Sequence, residues 1–329
     1  MPVSVPLSLL DLARTQPGDR GPADAIARSV EQAQLADTLG YHRVWFAEHH
    51  NTRTIISSAT ALMIQHVAAQ TSRIRVGAGG IMLPNHSPLV VAENFGMLET
   101  LFPGRIDLGL GRAPGTDMPT VRALRLDGRE AERFPTDVVE LHGLLSDTSP
   151  IPGVEAYPGA GTNVPLYILG SSMFGARLAA QLGLPYAFAS HFAPAMLREA
   201  TYAYRDQFDP SGPLAGTDAA PHLMVAANVI AADDHDTAVE QRRLAEDEWL
   251  QGFLGRQRRL GADELAAVRS HPQAQQILGM LDRTVAGSGP EVIAGLEDLI
   301  AEVGADELIL VNLAPDAAQR RRTLELLAP

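Results

Sequence analysis

The chain alternates between short runs of apolar and β-branched residues and longer segments whose apolar residues recur at helical spacing. The short runs predict eight strands, at residues 3–10, 43–47, 74–79, 106–111, 165–170, 186–190, 223–231 and 307–312. Helical patterns occupy residues 23–40, 57–70, 88–101 and 172–182, and Gly40 and Gly183 stand where C-caps are expected. Strands that alternate with helices in this way indicate a parallel sheet.

Eight strands with helices between them favour a closed α/β barrel of the (β/α)8, or TIM, type, formed by residues 1–329 as a single domain. The alternative is an open doubly wound sheet, which normally has fewer strands and a phosphate-binding glycine turn after the first strand. The corresponding turn here, DLARTQPGDRGP, lacks that pattern. Residues 112–164 and 232–289 exceed ordinary βα connections and predict insertions at the barrel mouth, although the distal half of the second also suits a solvated surface segment.

The composition of the chain argues against several classes of binding partner and cellular location. The net charge of −13, without a basic stripe, argues against a nucleic-acid partner, because duplex binding requires clustered Lys and Arg. The chain has no cysteine, which excludes disulfides and thiolate chemistry and fits a reducing compartment. No apolar run reaches the length of a membrane span, and the N-terminus lacks a basic region before its apolar residues. We therefore expect a cytoplasmic protein.

Polar and small residues gather at the ends of the predicted strands. They are Glu48-His49-His50, Gly79-Gly80, Gly111-Arg112, Gly170-Ser171-Ser172, Ser190-His191 and Asn312. In a barrel these carboxyl ends form one mouth, which is where active sites of this fold lie. The pattern therefore predicts a single functional site at the mouth.

Two of these strand ends suit an anion. In LGSSMFGARLAAQLG a strand passes through a turn into a helix, whose free N–H groups and dipole favour a phosphate, although Ser171 or Ser172 could simply cap the helix. In IDLGLGRAPGTD, Arg112 offers a bidentate fork for phosphate, or a partner for a nearby carboxylate. The glycines there do not form a dinucleotide motif, because Pro114, Gly115 and Pro119 interrupt the helix that such a motif opens.

The remaining strand ends suggest a flat ligand and proton transfer. Gly79-Gly80 allows a planar group to lie against the backbone, or allows tight packing inside the barrel. Glu48-His49-His50 is not expected to bind a metal, because adjacent strand residues point to opposite faces and the helical His-Glu-x-x-His spacing is missing. A histidine at a barrel mouth suits proton transfer near neutral pH.

The chain resembles the bacterial-luciferase-like flavin-dependent monooxygenases. The segments that carry the resemblance are AEHH, VGAGGIMLPNHSPLVVAENFGMLETLFPGRIDLGLGRAPGTD, LGSSMFGARLAAQLGLPYAFASHF and ADELILVNL. The resemblance implies a (β/α)8 barrel that binds reduced FMN non-covalently and uses O2, through a C4a-peroxyflavin, to oxygenate a small organic substrate. It also implies a homodimer and a separate NAD(P)H:flavin reductase as the donor of reduced flavin.

The same resemblance assigns roles to individual residues. His49 matches the catalytic histidine, and we expect Glu48 or its neighbours to hold that imidazole in place. Gly79 and Gly80 match a pair joined by a cis peptide beside the flavin ring. Arg112, after Gly111, matches the arginine that holds the FMN phosphate, and Gly170, Ser171 and Ser172 match the loop that completes the cradle. Trp45, Met82 and Phe192 are expected to line the substrate site.

The chain departs from the light-emitting members of the family at two positions. Those members carry a reactive cysteine where this chain has Gly111 and an acidic residue where it has Gly170, which argues against luminescence and long-chain aldehyde specificity but not against oxygenation. Three other functions remain open on the sequence: a deazaflavin-dependent hydride transferase, a non-catalytic flavin-binding protein and a metal-dependent barrel hydrolase. The segment GSGPE at residues 287–291 is a second candidate for the phosphate.

Overall fold

A computed structural model of the chain describes residues 2–16, 18–113, 117–255 and 258–329. Their strands, numbered in chain order, are β1 (Leu7–Asp11), β2 (Arg43–Phe46), β3 (Arg75–Met82), β4 (Ile106–Gly111), β5 (Leu166–Gly170), β6 (Tyr186–Phe188), β7 (Leu223–Ala232), β8 (Val285–Ser288) and β9 (Glu307–Asn312). Pro114 and Gly115, which were predicted to break a helix, lie outside the described residues.

The α-helices of the described residues lie between and after these strands. They are α1 (Pro22–Leu39), α2 (Thr60–Ala68), α3 (Pro88–Leu101), α4 (Met118–Ala123), α5 (Glu130–Leu145), α6 (Met173–Leu182), α7 (Leu197–Asp206), α8 (His235–Leu254), α9 (Ala262–Val268), α10 (Pro272–Gly279), α11 (Gly289–Val303) and α12 (Ala317–Leu326). Helices α1 and α6 end at Gly40 and Gly183 in the left-handed conformation, as predicted. No helix in these ranges is long and apolar enough to cross a lipid bilayer.

Eight parallel strands close into a barrel. Strands β1 to β7 pair in sequence order, β7 pairs with β9, and β9 pairs with β1, so that Leu9 of β1 lies opposite both Val44 and Leu310. This closure confirms the predicted (β/α)8 barrel. Because the strands are all parallel, their carboxyl ends meet at one mouth.

The short strand β8 was not predicted and lies within the segment interpreted as an insertion. It pairs with the second half of β7, and Val229 of β7 has both Asn312 of β9 and Val285 of β8 as partners. Since a strand residue has one neighbour on each side, β8 occupies the side of β7 where β6 has already ended. Its sequence, VAGS, is too short and too rich in small residues to stand out from a loop.

Side-chain alternation divides the core into two layers. Trp45, Tyr167 and Met224 belong to a small cluster inside the barrel. Val44 and Phe46 belong instead to the large cluster between the barrel and its helices. The period of two along β2 therefore sends Trp45 inward and its neighbours outward.

The lower end of the barrel holds a buried network of charges. The Arg43 guanidinium lies 2.9 Å from Asp107 through Nη1 and 2.8 Å from Glu307 through Nε, and it donates to the Tyr167 hydroxyl. The Asp107 carboxylate also accepts from Arg75 and, at 3.1 Å, from the Trp45 indole N–H. These residues belong to the beginnings or middles of their strands, so the network lies below the mouth, where buried charges require such partners.

Candidate active site

A cavity of about 400 Å³ opens at the mouth of the barrel. Its apolar walls are Leu10, Leu12, Ala47, Ile55, Phe192, Trp249, Phe253 and Met280. Its ionisable groups are Arg14, His49, His191 and Glu248. Carboxyl ends of β1, β2 and β6 form one side and α8 forms the other. A mostly apolar pocket with a few polar groups at a barrel mouth is the usual form of an active site in this fold.

His49 reaches this cavity because it continues the inward alternation of Trp45 and Ala47 beyond the end of β2. Its Nδ1 atom is buried and makes no hydrogen bond with the residues that the structure describes. Burial, and then the nearby Arg14 guanidinium, lower the pKa of His49 below its ordinary value. The imidazole is therefore neutral near pH 7 and has a nitrogen available to a ligand.

Glu48 points away from His49, which corrects the prediction that it holds that imidazole. Its Oε1 atom lies 2.8 Å from Nε2 of His50 and 2.9 Å from Nε2 of His86, and its Oε2 atom accepts from the backbone N–H of Met82 at 3.1 Å. Adjacent residues at a strand end face opposite sides, so His49 enters the barrel while Glu48 joins the loop after β3. Glu48 thus connects the ends of β2 and β3.

The Glu48, His50 and His86 side chains offer ligand atoms that all lie within 4.8 Å of one another. Both imidazoles contact the same carboxylate oxygen, and hydrogen bonds with these groups already satisfy the carboxylate. Burial raises the pKa of Glu48, but the bonds from His86, His50 and the Met82 N–H outweigh burial and leave the pKa below its ordinary value. The carboxylate is therefore ionised and positions the two histidines.

His191 is the second histidine of the cavity. Its Nδ1 is buried without a hydrogen-bond partner among the described residues, and its ring meets that of Phe192 edge to face at 4.7 Å. Burial, followed by the charge of Arg14, lowers the pKa of His191 to about 3. Sequence analysis located His191 at a strand end but assigned it no role.

Replacing His191 by glutamine is expected to flatten the pH dependence of stability. In the unfolded chain this histidine binds a proton near its ordinary pKa of 6.5, whereas in the folded chain it does so only near 3. Protons therefore favour unfolding over this range, and the wild type loses stability as the pH falls below 6.5. Urea unfolding at pH 7.5 and 5 should show a smaller loss in H191Q. An equal loss in both proteins would show that His191 is accessible to protons in the folded state.

A second group of predicted residues comes together at the ends of β4 and β5. The guanidinium carbon of Arg112 lies 4.0 Å from the ring centroid of Phe174, in the first turn of α6. Arg112 makes no ion pair with any described residue, so the alternative of a carboxylate partner is not observed within those ranges. Ser172 is the N-cap residue of α6, yet its side chain makes no capping bond. A free guanidinium thus stands beside a helix N-terminus with unused N–H groups.

Gly79 and Gly80 lie inside β3, which continues past the predicted end at residue 79 to Met82, whereas Gly111 is the last residue of β4. The peptide bond between Gly79 and Gly80 is cis, as the resemblance implies. A Cβ atom on Gly80 would lie 2.6 Å from the carbonyl oxygen of Gly109, and one on Gly79 would lie 2.9 Å from Cβ of Trp45. A Cβ atom on Gly111 would lie 2.9 Å from the Met82 sulfur. Packing inside the barrel therefore accounts for Gly79 and Gly80, whereas at Gly111 the flexible Met82 side chain could shift to admit a larger residue.

The predicted substrate residues are only partly correct. Phe192 lines the cavity, but Trp45 is fully buried below it and donates its indole N–H to Asp107. Met82 also lies outside the cavity, and its backbone contacts Glu48. Three lining residues were not predicted from the sequence. They are Arg14 and the pair Trp249 and Phe253, whose rings stack at 5.7 Å on α8.

The alternative phosphate segment, residues 287–291, is occupied by its own side chains. Ser288 and Glu291 form a capping box at the start of α11, in which the Glu291 carboxylate accepts from the Ser288 N–H at 2.7 Å and from its hydroxyl at 2.8 Å. A carboxylate in that place repels an anion. The start of α6 is therefore the remaining candidate for the predicted anion site.

Residues 5–307 match the luciferase-like monooxygenase family. A luciferase-like monooxygenase of Escherichia coli is 42% identical, with 98% of this chain and 96% of that protein covered. N-acetyl-S-alkylcysteine monooxygenase of Bacillus subtilis is 30% identical, with 98% and 97% covered. The crystal structure of apo-MsnO8 superposes with a TM-score of 0.85 at 35% identity, covering 98% of this chain and 96% of that one. The chain belongs to the luciferase-like monooxygenase family.

Proposed function

We propose that this luciferase-like monooxygenase uses reduced FMN and O2 to oxygenate a small organic substrate. The observation that carries the proposal is the Arg112 guanidinium, free of any ion pair with the described residues and stacked on Phe174 at the start of α6. A cation beside an uncapped helix N-terminus suits a terminal phosphate. The same barrel mouth carries His49, which lines an apolar cavity and whose buried Nδ1 has no hydrogen-bond partner among the described residues.

Four positions of the chain would hold the phosphate end of FMN. Arg112 would supply the bidentate fork, while Gly170, Ser171 and Ser172 would supply N–H and hydroxyl donors at the start of α6. Gly79 and Gly80, which are joined by the cis peptide, and Gly111 would lie beside the flat ring. Bound in this way, reduced FMN supplies the two electrons that activate O2.

His49 performs the proton chemistry in this proposal. Its imidazole is neutral because burial and Arg14 lower its pKa, so it can donate a proton at one nitrogen or accept one at the other. The apolar residues around it exclude water, which strengthens each hydrogen bond that the imidazole makes to a ligand. Glu48 contributes indirectly, because its bonds to His50 and His86 hold the backbone from which His49 projects.

The proposed partners follow from this chemistry. A separate NAD(P)H:flavin reductase would deliver reduced FMN, and the protein would work as a homodimer. The Bacillus subtilis relative is named for action on an N-acetyl-S-alkylcysteine, so a thioether is the first substrate class to test. N-acetyl-S-methylcysteine, which is oxidised at sulfur by one oxygen atom, is the corresponding probe.

Replacing Arg112 by alanine is expected to weaken FMN binding by about 1.5–3 kcal/mol, the usual contribution of hydrogen bonds to a charged group. Riboflavin, which lacks the phosphate, should bind wild type and R112A equally, so the two ligands separate loss of the phosphate contact from general damage. Fluorescence titration measures both affinities. The control is Arg122→Ala, which removes an exposed cation on α4. An unchanged affinity of R112A for FMN would exclude this phosphate site.

The reaction itself is tested with photoreduced FMN, N-acetyl-S-methylcysteine and ¹⁸O2. Incorporation of one labelled oxygen at sulfur, dependent on the protein, is the expected result. Labelled ketones and other thioethers form the second round if the first probe is unreactive. A titration with a deazaflavin cofactor runs in parallel. Tight binding of the deazaflavin, with no binding of FMN, would instead favour a hydride transferase.

A further inference from the structure

Arg14, in the loop after β1, lines the cavity that contains His49 and His191, and it also borders two smaller cavities beside Asp11 and Arg320. Two contacts fix its backbone. Arg14 forms an isolated antiparallel bridge with Ile55, and its carbonyl oxygen accepts from Nη2 of Arg28 at 3.1 Å. The guanidinium therefore starts from a rigid base, although it belongs to a loop.

The Arg14 guanidinium makes no hydrogen bond or ion pair with any residue that the structure describes. It is half-buried, and burial, followed by the charge of Arg320, lowers the pKa of Arg14 below its ordinary value. A cation that has lost water without gaining a partner is costly. An arrangement of this kind is stable at a functional site when a ligand supplies the missing acceptor.

The Glu248 and Asp11 carboxylates attract the charge of Arg14, but neither forms a hydrogen bond or ion pair with its guanidinium. Asp11 uses Oδ1 to accept from the Ala13 N–H at 2.7 Å, and Asp19 is paired with Arg28 at 2.6 Å. Glu248 lies opposite on α8 but is exposed to solvent and makes no ion pair with Arg14. The two histidines of the cavity do not compete with Arg14 for an acidic ligand, because their lowered pKa values leave them neutral near pH 7.

We infer that the substrate is a small apolar acid whose carboxylate binds Arg14, which makes Arg14 a specificity-determining residue. The guanidinium can hold a carboxylate through two parallel hydrogen bonds and so fix the orientation as well as the position of the substrate. The apolar remainder of the acid contacts Trp249 and Phe253 on the opposite wall. The inference deepens the proposed function and rests on it for the identity of the reaction.

Binding is measured first, by calorimetry on the full-length protein with and without FMN. The probes are hexanoate and hexanamide, which differ in charge but hardly in shape. Wild type is expected to bind hexanoate at least about tenfold more tightly than hexanamide, the scale of a hydrogen bond to a charged group. Arg14→Met should abolish that preference and leave hexanamide binding unchanged, whereas Arg14→Lys should retain part of it.

Arg20→Met is the matched control, because Arg20 lies on the same loop, is exposed and, among the described residues, pairs only with Asp24. It should keep the full preference for hexanoate. Thermal unfolding of each variant verifies that the fold is intact. Equal affinity of the wild type for hexanoate and hexanamide would overturn the inference, and so would an undiminished preference in Arg14→Met.

Turnover then separates this inference from the proposed function. With reduced FMN and O2, kcat/KM for N-acetyl-S-methylcysteine should exceed that for its amide in the wild type, and the ratio should fall to near one in Arg14→Met. Oxygenation of acid and amide at equal rates would refute the carboxylate site while supporting the monooxygenase. Selective binding of hexanoate without any binding of FMN would support the carboxylate site and refute the proposed FMN-dependent monooxygenase.

Discussion

Replacing His49 by alanine is expected to lower the rate of oxygenated product formation by about 10²–10⁴-fold, the range of general acid–base catalysis, while FMN affinity stays unchanged. The imidazole reaches the cavity from the end of β2 and makes no hydrogen bond with any described residue, so it is available to a ligand there. The residues proposed to hold FMN follow other strands than His49 does. Arg112 follows β4, and α6 begins after β5. The loss should therefore appear in the chemical step and not in binding.

The measurement combines single-turnover product analysis with an FMN titration on the same preparation. His66→Ala serves as the control, because His66 is an exposed histidine on α2 with no role in the cavity. Full activity in the His49 variant would remove this residue from the mechanism. A parallel loss of FMN affinity would assign it to cofactor binding.

Replacing Asp107 by asparagine is expected to destabilise the fold by about 3–5 kcal/mol, the usual effect of removing one partner from a buried ion pair. The Asp107 side chain is fully buried and faces both Arg43, which is 5% exposed, and Arg75. Without its charge, two guanidinium groups remain at the lower end of the barrel with too little compensation. The midpoint of urea unfolding at pH 7 measures the effect.

Asp233→Asn is the control for Asp107, because it breaks an ion pair with Arg322 that is exposed to solvent. Surface pairs of this kind contribute little, so the unfolding midpoint should hardly move. A small effect of Asp107→Asn as well would mean that the network is hydrated in solution. The buried position of Arg43 would then contribute less to stability than its contacts suggest.

Local sequence patterns predicted the helices and strands well where the residues at their ends determine where they begin and stop. The strands at residues 106–111 and 307–312 and the helix at 88–101 have the predicted bounds. The first strand begins at Leu7 and not at residue 3, because Pro6 has no N–H for the ladder and contributes only its carbonyl, which accepts from Leu308. Because parallel strands end together, the strand ends that precede His49, Arg112 and Ser172 lie on the same side of the barrel. That these side chains meet around one ligand stays a prediction.

Local sequence patterns could not predict contacts between segments that are far apart in the chain. The partner of Glu48 was misjudged because His86 lies 38 residues further along the chain and reaches the carboxylate only through the loop after β3. Arg14 looked like an ordinary loop residue, since nothing near it in sequence indicates that its guanidinium lies unpaired in a cavity. The spacing of Trp249 and Phe253 predicts that they share one face of a helix, but it does not predict that this face forms a wall of the cavity.

Because β8 pairs with β7, the segment between them, residues 233–284, is a module that begins and ends on neighbouring strands. The chain leaves the barrel at Ala232 and returns at Val285, on a strand hydrogen-bonded to the one it left, so the module begins and ends at neighbouring points. It carries Trp249, Phe253 and Met280, whereas the histidines and Arg112 belong to other strands. Exchange of this module between relatives is expected to change the wall formed by Trp249, Phe253 and Met280 and to leave His49, His191 and Arg112 in place.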